Sequence, residues 1–534
     1  FVNGINQTNP SHSMIFRRFL AVASLTATLA SATIWPLPQS VSYGSSSVET
    51  PQFHFIGLSS DDSKNAVKRY NPLIFPHSVE QTEDALDILV TIDDEDAELQ
   101  LGTDESYTLS VPESPSSDSP ITITAKTQYG FMRALETLSQ LVDFDFDAEA
   151  YSIEGAPVEI SDSPRFPHRG VLVDSSRHFE PISTLKIVVD SLAYAKLNVL
   201  HWHLVDSQSF PFDSKSYPLL GKQGAYSKEE RYTPNDVAEL VEYARERGVR
   251  VMVEVDTPGH AGSWCEGYPE ICPSKTCTEP LNPSTNATFD LIEGLFKDLT
   301  GGQAKSGLFP ETLMHLGGDE VNTDCWTKSD EISSWMDQQG FDEDDTYAYF
   351  IARVQAIAHS MGREVIGWEE IWNHFGTSLD PSTIIHQWLP GSTVGPEVTA
   401  AGYRLIWSTD GVWYLDGLST TWQTMYEAEP TEGISPSSLH LVLGGEGCMW
   451  GETVDTSSLL QTIWPRAAAI SERLWSDQTS TQDSTVAEPR YAEFRCHLNS
   501  RGIAAAPYDN LIARNAPSGP GGCLDQRRLT SRND

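Results

Sequence analysis

Eight short apolar runs between residues 166 and 480 constrain the fold of this chain more than any other feature. Several of the stretches between them have the spacing of amphipathic helices. One such helix is predicted to have Pro181 in its first turn, and another is predicted to begin at Thr233-Pro234 and to stop at Gly248. The alternation predicts an α/β fold, a parallel (β/α)8 TIM barrel rather than an open twisted sheet. The eight runs are residues 171–173, 198–204, 250–255, 312–316, 364–368, 383–388, 403–408 and 441–450.

The residues before the barrel have a different pattern of apolar runs and turns, which predicts a small α+β domain over residues 33–165. Strand-like runs at 86–92 and 121–125 are separated by turns rich in Ser, Asp and Pro. Apolar residues between Phe131 and Leu141 lie near helical spacing and predict one amphipathic helix. After the barrel, a last helix and a Gly- and Pro-rich tail are predicted over residues 481–534.

The amino-terminal residues 1–32 have the organisation of a leader followed by a secretory signal peptide. Met14 is followed by two arginines, an apolar run at 19–29 and Ala30-Ser31-Ala32, which is a typical cleavage site. We expect Met14 to be the true start and residues 1–13 to be foreign to the native protein. Cleavage at this site would leave a secreted or lumenal chain.

The seven cysteines of an exported chain predict disulfides and one remaining thiol. Cys496 and Cys523 are expected to pair and to hold the carboxy-terminal tail. Cys448 lies in an apolar, Gly-rich run and is the candidate for a free, buried thiol. A glycosylation sequon begins at Asn286 and agrees with secretion. Two further bridges are expected among four cysteines whose pairing the spacing leaves open, namely Cys265, Cys272, Cys277 and Cys325.

The chain is strongly acidic, with 35 Lys and Arg against 75 Asp and Glu and a net charge of −40. This charge argues against nucleic acid or an anionic membrane as a partner. The apolar run of the leader is too short to span a membrane, and no later stretch is long enough. We therefore expect a soluble protein. We also expect no metal or other cofactor, because no two cysteine pairs have ligand-like spacing with histidines nearby.

Polar and aromatic residues gather where the predicted strands end, which is where the chemistry of such barrels takes place. Each one alone is weak evidence, because a single strand-end carboxylate or tryptophan is usually structural. Together they predict one acidic cup with aromatic walls. Indole faces pack against the C–H faces of sugars and carboxylates bind sugar hydroxyls, so the cup suits a carbohydrate ring. In strand order the residues are Asp174, Arg177, Asp206, Glu254, Asp256, His260, Asp319, Glu320, Trp368, Glu370, Trp388, Tyr414, Asp416, Trp450 and Glu452.

Asp319 and Glu320 are the most specific feature of the cup. Glycosidases usually place two carboxylates on opposite sides of the anomeric carbon. Neighbouring strand residues point to opposite faces, but after Gly317-Gly318 at a strand end both side chains could reach the pocket. One could then protonate the leaving oxygen while the other orients an acetamido group of the substrate. The acetamido oxygen would itself attack C1 and form an oxazolinium ion.

The run His315-Leu316-Gly317-Gly318-Asp319-Glu320 resembles the signature of family 20 glycoside hydrolases, the β-N-acetylhexosaminidases. The resemblance covers about residues 165–480 and, more weakly, the domain before them. It implies the removal of terminal β-linked N-acetylhexosamine from chitooligosaccharides and glycans by a retaining, substrate-assisted mechanism. It also implies a homodimer, since members of the family often dimerise. Further stretches that match are residues 169–174, 198–210, 256–260, 367–370 and 444–452.

The resemblance implies roles for the reacting groups. Glu320 would be the general acid and then the base that activates water. Asp319 would hold the acetamido N–H, and Tyr414 would bind the acetamido oxygen. His260 and Asp206 would orient Glu320 from behind. We expect the apolar walls and the charge of Asp319 to raise the pKa of Glu320, because a general acid must be protonated at the working pH.

The resemblance also implies the residues that hold the sugar. For Glu254, Asp174 and Glu370, which match family positions, a purely structural role as strand-end carboxylates stays open. The loop over residues 263–282 would shape the leaving-group side, and preference between the gluco and galacto epimers stays open. The implied substrate contacts are Arg177, Asp416 and Glu452 for ring hydroxyls and Trp368, Trp388 and Trp450 for the walls.

Two other functions fit parts of the pattern. His201 and His203 lie on one strand face and could chelate zinc with His260 and Asp319, as in a metal-dependent amidohydrolase barrel. A chelator would inhibit such an enzyme and leave a glycosidase unaffected. The same aromatic cup could also belong to a catalytically silent carbohydrate-binding protein. Turnover of an aryl N-acetylglucosaminide separates that protein from an enzyme.

Overall fold

A computed structural model describes residues 34–78, 85–304 and 307–508 of the chain. The signal peptide, its cleavage site and Cys523 lie outside these residues. The described chain forms an α+β sheet domain followed by a closed barrel of eight parallel strands, as the alternation of the sequence predicts. No helix in the described ranges is both long and apolar enough to cross a membrane.

The amino-terminal domain is a seven-stranded sheet with two helices packed on it. The strand order is β1-β7-β4-β5-β3-β2, and β6 pairs with β7. Both strands and the helix expected from the sequence are present, whereas the Ser-rich β1 lacks the apolar alternation that would have predicted it. The elements are β1 (Ser40–Glu49), β2 (Phe53–Ile56), α1 (Asp61–Ile74), β3 (Leu86–Asp94), β4 (Tyr107–Val111), β5 (Ile121–Thr127), α2 (Gln128–Leu141), β6 (Val142–Asp145) and β7 (Ala150–Asp162).

The barrel strands follow one another in sequence order around the closed sheet, each parallel to its neighbours. All eight predicted runs form strands, and their ends differ from the prediction by a few residues. The strands are β8 (His168–Asp174), β9 (Val199–Val205), β10 (Arg250–Val255), β11 (Leu313–His315), β12 (Glu364–Trp368), β13 (Ile384–Gln387), β14 (Arg404–Trp407) and β15 (Val442–Met449).

The helices around the barrel are regular in its first half and short after β12 and β13. The predicted helix at Thr233 begins with a capping box formed by Thr233 and Asp236. Pro181 is the N-cap of α3 and not a first-turn residue, one position earlier than expected. The helices are α3 (Ile182–Tyr194), α4 (Leu219–Gly224), α5 (Pro234–Arg245), α6 (Trp264–Gly267), α7 (Asn286–Thr300), α8 (Asp324–Lys328), α9 (Asp330–Gln339), α10 (Glu343–Ser360), α11 (Glu370–Phe375), α12 (Gly395–Ala400), α13 (Trp422–Glu427), α14 (Leu459–Ile463), α15 (Arg466–Trp475) and α16 (Ser484–Ser500).

The barrel interior has an apolar layer at the amino ends of the strands. Leu101, from the loop between β3 and β4, packs against this layer and helps close that end of the barrel. Above it the interior is polar and holds buried histidines and glutamates, and above those lies the aromatic floor of the cup. The apolar layer consists of Val199, Met252, Leu313, Ile366, Ile384, Ile406 and Leu443.

A buried carboxylate fastens the two domains to each other. Glu105 of the sheet domain lies 2.8 Å from Arg169 at the start of β8 and 2.8 Å from Arg133 of α2. It also accepts a hydrogen bond from Asn198 at 2.9 Å. Burial raises the pKa of Glu105, but the two guanidinium groups outweigh it and lower that pKa to about 2.

Two disulfides form among the four clustered cysteines, Cys265–Cys272 and Cys277–Cys325. Cys448 is a free and buried thiol, as predicted. Cys496 takes part in a disulfide. Its expected pairing with Cys523 falls outside the described residues.

Candidate active site

A pocket of about 370 Å³ opens at the carboxyl ends of the barrel strands. It brings together ten of the eleven residues assigned to the site from the sequence, and Asp206 lies directly behind it. His203, Asp256, Asp410 and Thr453 also line it. Asp256 was predicted in the cup without a specific role, and His203 only as a zinc ligand in the amidohydrolase alternative. Asp410 and Thr453 were not predicted. The ten are Arg177, His260, Asp319, Glu320, Trp368, Trp388, Tyr414, Asp416, Trp450 and Glu452.

A tight turn after β11 directs both adjacent carboxylates into the pocket. Gly317 and Gly318 have φ of 67° and 93°, in the left-handed region that favours glycine. A Cβ on Gly317 would lie 1.7 Å from an oxygen of Asp256, so no other residue fits there. Glu320 itself has φ of 49°. The turn therefore overrides the strand alternation that would have separated the two side chains.

Asp319 and Glu320 differ in their exposure to water. The Asp319 side chain is 11% exposed, and its Oδ1 has no hydrogen-bond partner among the described residues. The Glu320 side chain is 62% exposed and lies at the pocket mouth. Asp319 thus offers an unsatisfied acceptor inside the pocket. Glu320 can reach the part of a ligand that extends out of the pocket.

His260 connects the two carboxylates to a third one behind them. Its Nε2 lies 3.5 Å from Asp319 Oδ2 and 3.5 Å from Glu320 Oε2. Its Nδ1 lies 3.1 Å from Asp206 Oδ2, which also lies 2.8 Å from Arg177. Burial lowers the pKa of His260, but the charge of Asp319 and the hydrogen bond with Asp206 outweigh it and raise that pKa. His260 therefore faces the pocket as a cation.

The prediction that the pKa of Glu320 is raised is wrong: in this pocket it is lowered. Hydrogen bonding to His260 lowers the pKa of Glu320, and burial of less than half of the group only partly opposes it. The prediction from apolar walls and the charge of Asp319 left out the His260 imidazolium, whose Nε2 lies 3.5 Å from both carboxylates.

Four aromatic side chains form the walls. Trp388 and Tyr414 stack with ring planes 10° apart and centroids 6.2 Å apart. Trp450 lies 6.0 Å from Trp368 and 6.3 Å from Tyr414. The indole N–H of Trp388 donates to Glu370 at 2.8 Å, and burial raises the pKa of that carboxyl to about 8. The rings enclose a flat-sided apolar space next to Asp319.

The opposite rim carries the charged groups expected to contact ring hydroxyls. Arg177 donates to Asp174 at 3.0 Å and lies 3.8 Å from Glu452. Oδ1 of Asp416 is buried and has no partner within the described chain. Burial raises the pKa of Asp416 to about 6. These groups present donors and acceptors to a hydroxylated ligand.

The His201 and His203 pair of the amidohydrolase alternative converges on a carboxylate. Both imidazoles approach the same oxygen of Glu254, at 3.1 Å and 2.6 Å. His201 also bonds Glu446 at 2.7 Å and is fully buried. Of the two, only His203 lines the pocket, so the pair does not present a common binding face to a ligand there.

Comparison with known proteins agrees with this geometry. Residues 166–478 match the family described as glycosyl hydrolase family 20, catalytic domain, and residues 34–141 match one described as beta-acetyl hexosaminidase like. Beta-hexosaminidase 1 of Arabidopsis thaliana is 46% identical over 519 residues, which cover 92% of this chain and 94% of that protein.

Two further relatives extend the comparison. Beta-hexosaminidase subunit beta of Homo sapiens is 37% identical over 511 residues, 89% of this chain and 88% of that protein. The structure of a Flavobacterium johnsoniae chitobiase matches with a TM-score of 0.77 at 28% identity, over 94% of this chain and 77% of that one. With its barrel, its strand-end carboxylates and these relatives, the chain belongs to glycosyl hydrolase family 20.

Proposed function

We propose that this family 20 hydrolase removes terminal β-linked N-acetylhexosamine and uses the acetamido oxygen of the substrate as the nucleophile. The observation that carries the proposal is the contrast between two adjacent carboxylates. Asp319 is buried with Oδ1 unpartnered among the described residues, and Glu320 is exposed at the mouth. A buried acceptor beside aromatic walls can accept a hydrogen bond from an acetamido N–H. An exposed carboxyl can give a proton to a leaving group.

In the first step the acetamido oxygen attacks C1 and the bond from C1 to the leaving oxygen breaks. Glu320 gives its proton to that oxygen. Asp319 accepts the acetamido N–H and stabilises the positive charge of the oxazolinium ion, and the Tyr414 hydroxyl donates to the acetamido oxygen. In the second step the Glu320 carboxylate takes a proton from water, the water oxygen attacks C1, and the bond from C1 to the acetamido oxygen breaks, which restores the acetamido group. The two inversions retain the β configuration.

Protonation of Glu320 depends on the bound sugar. Its side chain is 62% exposed, so a sugar over the pocket would remove most of the water around it. Loss of hydration favours the neutral carboxyl and offsets the influence of His260. In the proposed mechanism Glu320 therefore becomes the protonated general acid when the substrate binds.

The remaining pocket residues fit the shape of one terminal sugar. Trp368, Trp388 and Trp450 would enclose the acetamido methyl group and the apolar ring face. Arg177, Asp416 and Glu452 would bind the ring hydroxyls from the opposite rim. Chitooligosaccharides and N-acetylhexosamine-terminated glycans both carry such a unit.

A crystal structure with a thiazoline mimic of the oxazolinium ion tests the mechanism. We expect the thiazoline nitrogen within hydrogen-bond distance of Asp319 and the Tyr414 hydroxyl near the ring sulfur that replaces the acetamido oxygen. Trapping of a covalent sugar ester on a side chain of the enzyme during turnover would contradict the proposal.

We also propose that the protein enters the secretory pathway and is glycosylated. Asn286 is exposed, and two disulfides fit an oxidising compartment. Amino-terminal sequencing of the secreted protein should give a start near residue 33. Asn286→Gln should remove a mass shift that an N-glycosidase also removes. The homodimer stays a proposal, which sedimentation of the purified enzyme tests.

A further inference from the structure

Glu254 of β10 is a fully buried carboxylate that contacts side chains on three other strands of the barrel. Its Oε2 lies 2.6 Å from His203 Nδ1 and 3.1 Å from His201 Nε2, both on β9. Its Oε1 accepts the indole N–H of Trp368 on β12 at 2.9 Å and lies 3.0 Å from His315 on β11. A single side chain therefore links side chains of three other strands beneath the pocket.

Two of these four partners line the pocket. The indole N–H is the one polar group of Trp368, so its bond to Glu254 fixes the rotation of that wall. His203 Nδ1 faces Glu254 at 2.6 Å and its Nε2 faces Asp206 at 2.9 Å. With an acceptor on each side, both nitrogens of His203 donate, and the imidazole is a cation.

A chain of contacts leads from Glu254 to Glu320, the carboxylate at the pocket mouth. Asp206 accepts from His203, and it lies 3.1 Å from Nδ1 of His260, whose Nε2 lies 3.5 Å from Glu320. The carboxylate Glu254 keeps Nε2 of His203 a donor towards Asp206. Asp206 therefore stays anionic and holds the protonated state and the orientation of His260.

We propose that Glu254 is a positioning residue that fixes two parts of the pocket together, the Trp368 wall and, through His203 and Asp206, the His260 imidazole that faces Glu320. The inference rests on the proposed function for the roles of Trp368 and Glu320. It gives Glu254 a role in the reaction although Glu254 touches no substrate.

Glu446 offers a matched control inside the same barrel. It is also fully buried, and it bonds His168 at 2.5 Å and His201 at 2.7 Å. Burial raises the pKa of both Glu254 and Glu446, and the surrounding imidazoles outweigh it and hold both well below the ordinary value. Neither His168 nor His201 lines the pocket. The two glutamates thus share burial, charge and a contact with His201, and they differ in that Glu254 also holds two residues that line the pocket.

The test compares Glu254→Gln with Glu446→Gln in the full-length enzyme. The turnover of an aryl N-acetylglucosaminide and the inhibition constants of the thiazoline mimic and of N-acetylglucosamine are measured for each. For Glu254→Gln we expect kcat to fall about 10–100-fold with KM within about threefold of the wild type. Affinity for the thiazoline should fall by a similar factor, and affinity for N-acetylglucosamine should change by less than about threefold. Glu446→Gln should keep kcat within about threefold.

Equal losses of kcat in the two variants would overturn the inference, because both would then report only the loss of a buried charge. A rise in KM that accounts for the whole loss in kcat/KM would overturn it as well. If Glu254→Gln does not fold, Glu254→Asp replaces it. The shorter side chain keeps the charge but cannot reach Trp368 and His203 together, so kcat should still fall by at least about tenfold. Wild-type kcat in Glu254→Asp would overturn the inference.

A separate measurement tells this failure from failure of the proposed function. Wild-type enzyme is assayed with substrates whose acetamido group carries an increasing number of fluorines. A flat response contradicts the acetamido nucleophile itself, whatever Glu254 does. A steep response together with normal kcat in Glu254→Gln contradicts only the role of Glu254.

Discussion

Nε2 of His260 lies 3.5 Å from Oε2 of Glu320, and both residues have left-handed backbone with φ of 52° and 49°. Such a conformation costs an L-residue about 1–2 kcal/mol. Strained residues of this kind persist where the surrounding structure fixes them, and they concentrate at functional sites. The fold therefore holds this pair in place against the local preference of the backbone.

Glu320→Gln should remove the general acid without changing the size of the side chain. Hydrolysis of a chitooligosaccharide, whose leaving group needs a proton, is expected to fall about 10²–10⁴-fold in kcat/KM. Aryl glycosides of strongly acidic phenols should lose much less. Steady-state kinetics on both substrates measure the difference, and equal losses would argue against the acid role. Glu452→Gln, which changes a 56% exposed carboxylate on the other rim, serves as the control and should act mainly on KM.

Fluorination of the substrate's acetamido methyl group should slow turnover progressively. Each fluorine withdraws electrons from the carbonyl oxygen and makes it a poorer nucleophile. The measurement is log kcat/KM against the electron-withdrawing strength of the acyl group, with a negative slope expected. In Tyr414→Phe the whole series should shift to lower rates, because the hydroxyl that binds this oxygen is lost.

Glu105→Ala should destabilise the protein, because it leaves Arg133 and Arg169 buried without their carboxylate. The expected loss is about 3–5 kcal/mol in the free energy of unfolding. The pKa of Glu105 in the folded protein is about 2, below its unfolded value of about 4.3. Its stabilising contribution is therefore present above about pH 4.5 and is lost as the pH falls towards 2.

Urea unfolding followed by circular dichroism at pH 7 and pH 3 measures this contribution. The difference between wild type and Glu105→Ala should be smaller at pH 3 than at pH 7. Glu105→Gln, which keeps the shape and removes the charge, should show the same change with pH. An equal difference at both pH values would contradict the assignment of the low pKa to Glu105.

Cys448 should resist alkylation in the folded enzyme. Its side chain is fully buried against Tyr414 and Trp368, and burial raises the pKa of its thiol well above the ordinary value. Iodoacetamide should modify Cys448 after denaturation without a reductant, and mass spectrometry of tryptic peptides locates the label. Modification of Cys448 in active, folded enzyme would show that the pocket floor opens.

Much of the fold and the site follows from local sequence. The barrel strands are continuous apolar runs, and a run of this kind between helices is buried on both faces in any parallel barrel. Gly317-Gly318 before Asp319-Glu320 predicts a turn that points both carboxylates into the pocket, and the structure has that turn. By contrast, β1 was missed because its serines carry no apolar period.

The sequence by itself determined the barrel, the family and nearly all of the side chains that meet in the pocket, because strand ends and motifs are local patterns. The tertiary structure alone decided the pairing Cys265–Cys272 and Cys277–Cys325 and the contact of Glu254 with Trp368, 114 residues away. It also decided that the pKa of Glu320 is lowered. The physical reason is that a charge acts through space, so the state of a carboxyl depends on neighbours that the chain brings together only when the barrel closes.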